Sequence, residues 1–202
     1  RHAFSCGLVM ILAGPELAYA HASFPGAEGF VRGIAQPLQE PVQGLLAGTC
    51  GVLIGRANPR RMGPLWLAYC CTTAGAACLL AFVGSGSEPV PLALLLGALL
   101  ATGLLLTAWA RPPFVVSVLL VISGGAVAGS NALSIGAIGQ LETTGGSLAG
   151  SAMLALYLAA ATHWLRRRER ARRWLGLIPR VAGAWVTAFA VLGFAFTIQS
   201  VD

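Results

Sequence analysis

Long apolar stretches, separated by short loops that carry most of the charge, are the feature that most constrains the fold of this chain. Inside a bilayer the backbone must satisfy its own hydrogen bonds, so only helices and closed barrels can cross. The stretches have about the 20 residues that a spanning helix needs, and they lack the alternation of barrel strands. Charged residues make up only 10% of the chain, against about 25% in soluble domains. The sequence therefore predicts an all-α, polytopic transmembrane bundle with six core spans, at residues 30–55, 64–83, 91–109, 114–133, 147–165 and 181–198.

A seventh helix is predicted at the N-terminus, where the sequence resembles a secretory signal. The segment has a basic start, an apolar core at residues 4–14 and an A-x-A cleavage site that ends at Ala20. We expect residues 1–20 to remain as a signal-anchor helix and residues 21–202 to form the six-span bundle. The alternative is cleavage, which would leave His21 as the N-terminus. A free amine beside its imidazole could then bind nickel or copper, although an ordinary loop residue is the simpler interpretation.

The arginines predict the orientation of the bundle. All thirteen basic residues are Arg, and most of them lie in the loops at residues 56–61, 111 and 166–173. These three loops fall on one side of the membrane when the spans alternate, and basic loops are typical of the cytoplasmic side. We therefore expect a bacterial inner-membrane protein with its N-terminus in the cytoplasm and its C-terminus in the periplasm.

The basic run after the stretch at residues 147–165 is expected to contact anionic lipid of the bilayer. Docking of a partner protein is the alternative. Nucleic-acid binding is not expected, because no basic, aromatic-rich soluble domain is present. The run contains Arg166, Arg167, Arg168, Arg170, Arg172 and Arg173.

A polar cluster in the stretch at residues 30–55 is the main candidate for an ion or proton site. Two prolines beside it should kink or break the helix and free backbone carbonyls, as in transporters with interrupted helices. A carboxylate ten residues from the outer end would lie about 15 Å deep, where it usually faces the bundle interior. The alternative is a kinked helix whose amides bond to neighbouring helices. The cluster comprises Gln36, Gln39, Glu40 and Gln43, beside Pro37 and Pro41.

Two residues of the stretch at residues 114–133, Ser123 and Asn131, complete this candidate site. Small residues elsewhere are expected to allow close helix packing, because G-x-x-x-G spacing places two glycines on one helix face. Three pairs have this spacing: Gly44 with Gly48, Gly51 with Gly55, and Gly125 with Gly129.

Other residue types give weaker indications of function. The five tryptophans could bind a lipid or a hydrophobic cofactor, although Trp is also common at membrane interfaces. The cysteines and histidines do not have metal-site spacing, and no combination of residues suggests a catalytic centre. We therefore expect neither an enzyme nor a bound cofactor. The tryptophans are Trp66, Trp109, Trp164, Trp174 and Trp185.

The stretch from Ala20 to Leu38, with the motif GFVRGIAQPL at residues 29–38, resembles the HupE/UreJ family. This family consists of hydrogenase and urease accessory membrane proteins that are regarded as nickel or cobalt permeases. The resemblance implies a signal followed by six spans. It also implies a metal site, but the family's two histidines and its aspartate correspond here to Gln36, Gln43 and Val42. The family's later histidine-rich run corresponds to residues 123–128, which contain no histidine.

The missing imidazoles decide between the function hypotheses, because nickel and cobalt favour nitrogen ligands of this kind. The leading hypothesis is an accessory or structural subunit of a larger membrane protein complex, built on a HupE/UreJ-like bundle. The alternative is a divergent permease for nickel, cobalt or another cation, which would use Glu40 and the neighbouring glutamines. A protein that binds lipid or a hydrophobic cofactor is the weakest hypothesis.

Overall fold

A computed structural model describes residues 29–83, 91–108, 113–135, 141–168 and 176–199. All regular structure within these residues is helical, which confirms the all-α prediction. The signal-anchor helix predicted at residues 1–20 lies outside the described residues. The described residues form seven helices: α1 (Gly29–Gln39), α2 (Pro41–Arg56), α3 (Pro59–Val83), α4 (Leu92–Ala108), α5 (Phe114–Ile135), α6 (Leu141–Arg168) and α7 (Ile178–Gln199).

Three of the described helices are long and apolar enough to cross a membrane: Pro59–Phe82, Leu141–Arg168 and Ile178–Ile198. The apolar parts of α4 and α5, Leu92–Ala108 and Phe114–Ser130, are shorter. At 1.5 Å per residue, α4 spans about 25 Å and a hydrocarbon core is about 30 Å thick. The described helices thus include three of spanning length and composition, whereas the sequence predicts six core spans.

The apolar stretch at residues 30–55 forms two helices, as its prolines predict. Helix α1 ends at Gln39 and α2 begins at Pro41, with Glu40 between them in an extended conformation at φ −99° and ψ 96°. Proline is favoured in the first turn of a helix, where its missing N–H needs no partner. Pro37 lies inside α1 and does not end it, so the break occurs at the second proline.

Helix α2 is the centre of the bundle. Ten of its 16 residues are buried, and it contacts each of the other six helices. The most extensive contacts elsewhere join α3 to α5, α4 to α7, and α1 to α6. Leu46, Leu53 and Ile54 of α2 form the middle of the apolar core. Many large apolar side chains on the outer faces are exposed, as expected for helices that contact lipid.

The two ends of the bundle differ in charge. Arg166 near the end of α6 contacts the last turn of α2, and Arg61 of α3 contacts Phe114 at the start of α5. We call this the basic end, because it holds every described arginine except Arg32. The opposite end contains Glu142, which lies against Gly29. This distribution agrees with one arginine-rich side, and its assignment to the cytoplasm stays a prediction.

Candidate functional site

The break between α1 and α2 places two glutamines in the protein interior. Only 6% of the surface of Gln36 and 1% of that of Gln43 are exposed. Nε2 of Gln43 donates a long hydrogen bond of 3.4 Å to the hydroxyl of Ser147 on α6. Within the described residues, no hydrogen-bond partner exists for either polar atom of Gln36, for Oε1 of Gln43 or for the hydroxyl of Ser151. We call Gln36, Gln43, Ser147 and Ser151 the glutamine cluster.

Close backbone contacts between α1 and α6 hold the cluster together. A Cβ atom at Gly33 would lie 2.8 Å from the Cα of Gly146, and one at Gly150 would lie 3.1 Å from the Cα of Ile34. The absence of these Cβ atoms lets the two backbones touch. Gly146 and Gly150 have G-x-x-x-G spacing but are not among the predicted packing residues. This G-x-x-x-G pair is therefore a packing motif that the sequence itself contains.

Helix α1 does not continue the line of α2. The ten residues between Gly33 and Gln43 would advance about 15 Å in one straight helix. Nevertheless, Gly33 lies against the backbone nitrogen of Ser147, and the side chain of Gln43 reaches the hydroxyl of the same residue. The chain therefore changes direction between Gly33 and Gln43, at the break beside Glu40.

The break also divides the four predicted polar residues. Glu40 is half-buried, and it precedes α2 without a capping hydrogen bond from its side chain. Gln39 is half-buried at the end of α1. Only Gln36 and Gln43 face the interior, so the carboxylate lies beside the glutamine cluster and is not part of its fully buried surface.

The other predicted members of the site lie elsewhere or outside the described parts of the chain. Ser123 is exposed on α5 and donates a hydrogen bond of 3.2 Å to the carbonyl of Leu120. Its neighbour Gly124 faces Cys50 of α2, so Ser123 points away from the centre. Asn131 belongs to α5, but its side chain is outside the described structure, as is His21.

Three of the four predicted packing glycines of α2 lie against α6. A Cβ at Gly51 would lie 2.9 Å from the Cα of Ala155, and one at Gly55 would lie 2.8 Å from the Cβ of Thr162. Gly48 has a looser neighbour, because its Cβ would be 3.0 Å from a methyl group of Leu158. The contacts of Gly51 involve backbone atoms, which a side-chain rotation cannot move away.

The remaining predicted glycines face other helices. Gly44 lies against the carbonyl of Pro37, so it permits the close approach of α2 to α1 at the break. Gly125 and Gly129 lie against Tyr69 and Thr73 of α3. The six predicted glycines therefore lie at three contacts of the bundle: α2 with α1, α2 with α6, and α5 with α3.

The described tryptophans have separate environments. Trp66 donates a hydrogen bond of 3.2 Å to the carbonyl of Ala152 and so joins α3 to α6. Trp164 lies under the guanidinium of Arg168, 4.2 Å from ring centre to carbon, and Trp185 is 76% exposed. Trp109 and Trp174 lie outside the described residues, as do Arg170, Arg172 and Arg173 of the basic run.

The chemistry available to the glutamine cluster is that of neutral amides and hydroxyls. Such groups can hold water or a weakly hydrated ion through oxygen atoms, but they supply no charge to a divalent transition metal. The described residues contain no group of three or more His, Cys, Asp or Glu side chains that could hold a metal ion.

Comparison with models of protein families gives no match to this chain. Comparisons with curated proteins and with solved structures give no match either. The resemblance to the HupE/UreJ family therefore rests on the residues quoted from the sequence and stays a prediction.

Proposed function

We propose that this chain is an accessory or structural subunit of a larger membrane protein complex, built on a HupE/UreJ-like bundle in a bacterial inner membrane. The observation that carries the proposal is that the buried polar groups of the glutamine cluster are neutral. A nickel or cobalt ion that entered the glutamine cluster would lose much of its hydration. Gln36 and Gln43 would offer it neither an imidazole nor a carboxylate in return.

One outer face of α3 supports contact with another membrane subunit. A Cβ added at Gly63 or Gly75 would meet no atom within 4 Å, so space is open beside both glycines. Cys71, Ala74 and Cys78 on the same helix are exposed and small. Transmembrane helices associate closely through faces of small residues. We propose that a helix of another subunit packs on this face of α3.

Co-purification tests the subunit proposal. The full chain, extracted from its own membranes in a mild detergent, is expected to carry a partner protein at fixed stoichiometry. Gly75→Leu should release that partner, because the larger side chain fills the space beside α3. Gly97→Leu is the matched control, since Gly97 of α4 also has no atom within 4 Å of an added Cβ. A chain that purifies without any partner in its wild-type form would contradict the proposal.

A divergent cation permease is the second candidate, and the unpartnered amide of Gln36 beside the helix break favours it. Interrupted helices in transporters expose backbone groups that coordinate ions. The candidate ion would lie between the glutamine cluster and Glu40, with Glu40 supplying its charge. Nickel or cobalt would be the cargo and not a resident cofactor.

Glu40→Gln separates the two candidates. For the accessory subunit we expect no metal uptake by vesicles that contain the wild-type chain alone. We also expect the substitution to change the free energy of unfolding by less than about 0.5 kcal/mol, because Glu40 is half-buried and caps no backbone group. Glu142→Gln, at an exposed position of α6, is the control. Uptake of nickel or cobalt by the wild type that is lost only in Glu40→Gln would refute the accessory proposal.

A further inference from the structure

A cleft at the basic end of the bundle is separate from the glutamine cluster. It has a volume of about 180 Å³ and lies where α2 ends and where α3 and α5 begin. Arg56, Arg61 and Arg166 line it together with Asn58, and no acidic side chain of the described residues contributes to the lining. Three guanidinium groups around one cavity produce a positive potential that favours an anion.

Arg166 is held in place by the end of α2. Its Nη1 donates hydrogen bonds to the carbonyl oxygens of Arg56 and, at 2.9 Å, of Ala57. These carbonyls belong to the last turn, where a helix leaves its acceptors without internal partners. Because the guanidinium is planar and rigid, fixing one nitrogen also restricts the directions of its other N–H donors, which lie on the same fork.

Arg61 is positioned by an aromatic ring. Its guanidinium carbon lies 4.2 Å from the centre of the Phe114 ring, in a cation–π contact between α3 and α5. Stacking uses the flat face of the guanidinium and leaves its N–H donors at the edge. An anion in the cleft can therefore accept hydrogen bonds from Arg61 without displacing the ring.

Two helix N-termini at the cleft add positive potential, while the carbonyl oxygens at the end of α2 accept hydrogen bonds from Arg166. Helices α3 and α5 have 25 and 22 residues, and both begin at the cleft. The N-terminus of a long helix carries a partial positive charge and attracts anions. Asn58 caps α3, because its Oδ1 accepts a hydrogen bond of 3.3 Å from the backbone nitrogen of Arg60. This orientation of the amide leaves its nitrogen as a donor on the side away from that bond.

We propose that this cleft binds a phosphate group. Guanidinium forks match the spacing of phosphate oxygens and can bind them in pairs, so this anion fits the lining better than a spherical halide does. At the basic end of a membrane bundle the phosphate can belong to the headgroup of an anionic phospholipid or to a phosphate dissolved in the adjoining water. The proposal is independent of the subunit and permease proposals.

Lipid titration of the full chain in detergent, followed by native mass spectrometry, tests the first source. Phosphatidylglycerol is the probe, and zwitterionic phosphatidylcholine is the comparison lipid. We expect one tight phosphatidylglycerol site in the wild type and about tenfold weaker binding in Arg61→Gln, from the loss of a charge-assisted hydrogen bond. Arg60→Gln is the matched control, because Arg60 is an exposed neighbour on α3 that does not line the cleft.

Calorimetric titration with inorganic phosphate tests the second source. Dissolved phosphate is the ligand if phosphate binding is saturable and weakens in Arg61→Gln while the wild type and Arg61→Gln bind phosphatidylglycerol equally. Phe114→Leu keeps every charge but removes the stacking surface, so it should weaken the same probe as Arg61→Gln. The proposal is overturned if the wild type and Arg61→Gln bind each probe equally. It is also overturned if Arg60→Gln weakens binding as much as Arg61→Gln does. Thermal unfolding of each variant verifies that it is folded.

Discussion

Gly51→Leu is expected to lower the free energy of unfolding of the bundle by about 3 kcal/mol or more, which is the upper range for overpacking of a buried site. A Cβ at Gly51 would already lie 2.9 Å from the Cα of Ala155. Because this contact joins two backbones, α2 and α6 must move apart to admit a side chain. That movement would also separate Gly55 from α6 and break the bond between Gln43 and Ser147. Membrane helices depend on such close packing, since apolar burial drives their association only weakly.

The same substitution at an open position provides the control. Gly97→Leu is expected to change the free energy of unfolding by less than about 1 kcal/mol, because nothing lies within 4 Å of an added Cβ there. Any change should favour the folded state, since leucine has the higher helix propensity. Helical circular dichroism of the purified chain, followed in detergent against increasing denaturant, measures both variants. Equal stabilities for Gly51→Leu and Gly97→Leu would show that the contact between α2 and α6 does not determine stability.

The sequence predicts the existence of the helices better than their ends. Apolar stretches predict helices at residues 91–109 and 114–133, and the structure has Leu92–Ala108 and Phe114–Ile135. Helix α6, in contrast, begins at Leu141 and not at residue 147, because its polar first turns continue the helix beyond the apolar stretch. Hydropathy reports which residues suit a bilayer, and it does not report where backbone hydrogen bonding stops.

Capping explains the early start of α3. The prediction places its first residue at 64, but the helix begins at Pro59. Asn58 accepts a hydrogen bond from the backbone of Arg60 and so satisfies one donor of the first turn. Proline in the next position suits the start of a helix. Both residues are visible in the sequence, but their polarity suggested a loop.

Helix neighbours could not be predicted from the sequence of this chain. A soluble helix reveals its buried face through apolar periodicity, whereas several helices here are apolar on all sides and lack that signal. The bond from Gln43 to Ser147 joins residues 104 positions apart, and nothing in either local sequence indicates the partner. The sequence places Ser123 in the candidate ion site because it lies in a stretch of small residues. The structure turns it outward because Gly124 occupies the face toward α2.

The second large effect is expected at Gln36, where loss of a polar group should stabilise the bundle. Both polar atoms of this amide are buried, and neither has a hydrogen-bond partner among the described residues. A buried polar group without a hydrogen-bond partner lowers the free energy of unfolding by about 1–3 kcal/mol. Gln36→Met removes the amide and keeps a flexible, unbranched side chain of similar length. We expect the free energy of unfolding to rise by about 1–2 kcal/mol.

Denaturant titration in detergent measures this change, with Gln39→Met as the matched control. Gln39 is half-buried in the same helix, so its amide can remain hydrated, and its replacement should change stability by less than about 0.5 kcal/mol. The sign of the effect at Gln36 also bears on function. A stabilised Gln36→Met variant would mean that the native amide is unsatisfied and serves no ligand, as the subunit proposal expects. A loss of more than about 1 kcal/mol, absent in Gln39→Met, would mean that water or an ion satisfies the amide. That result would contradict this prediction and favour the permease, because the glutamine cluster would then be an occupied polar site.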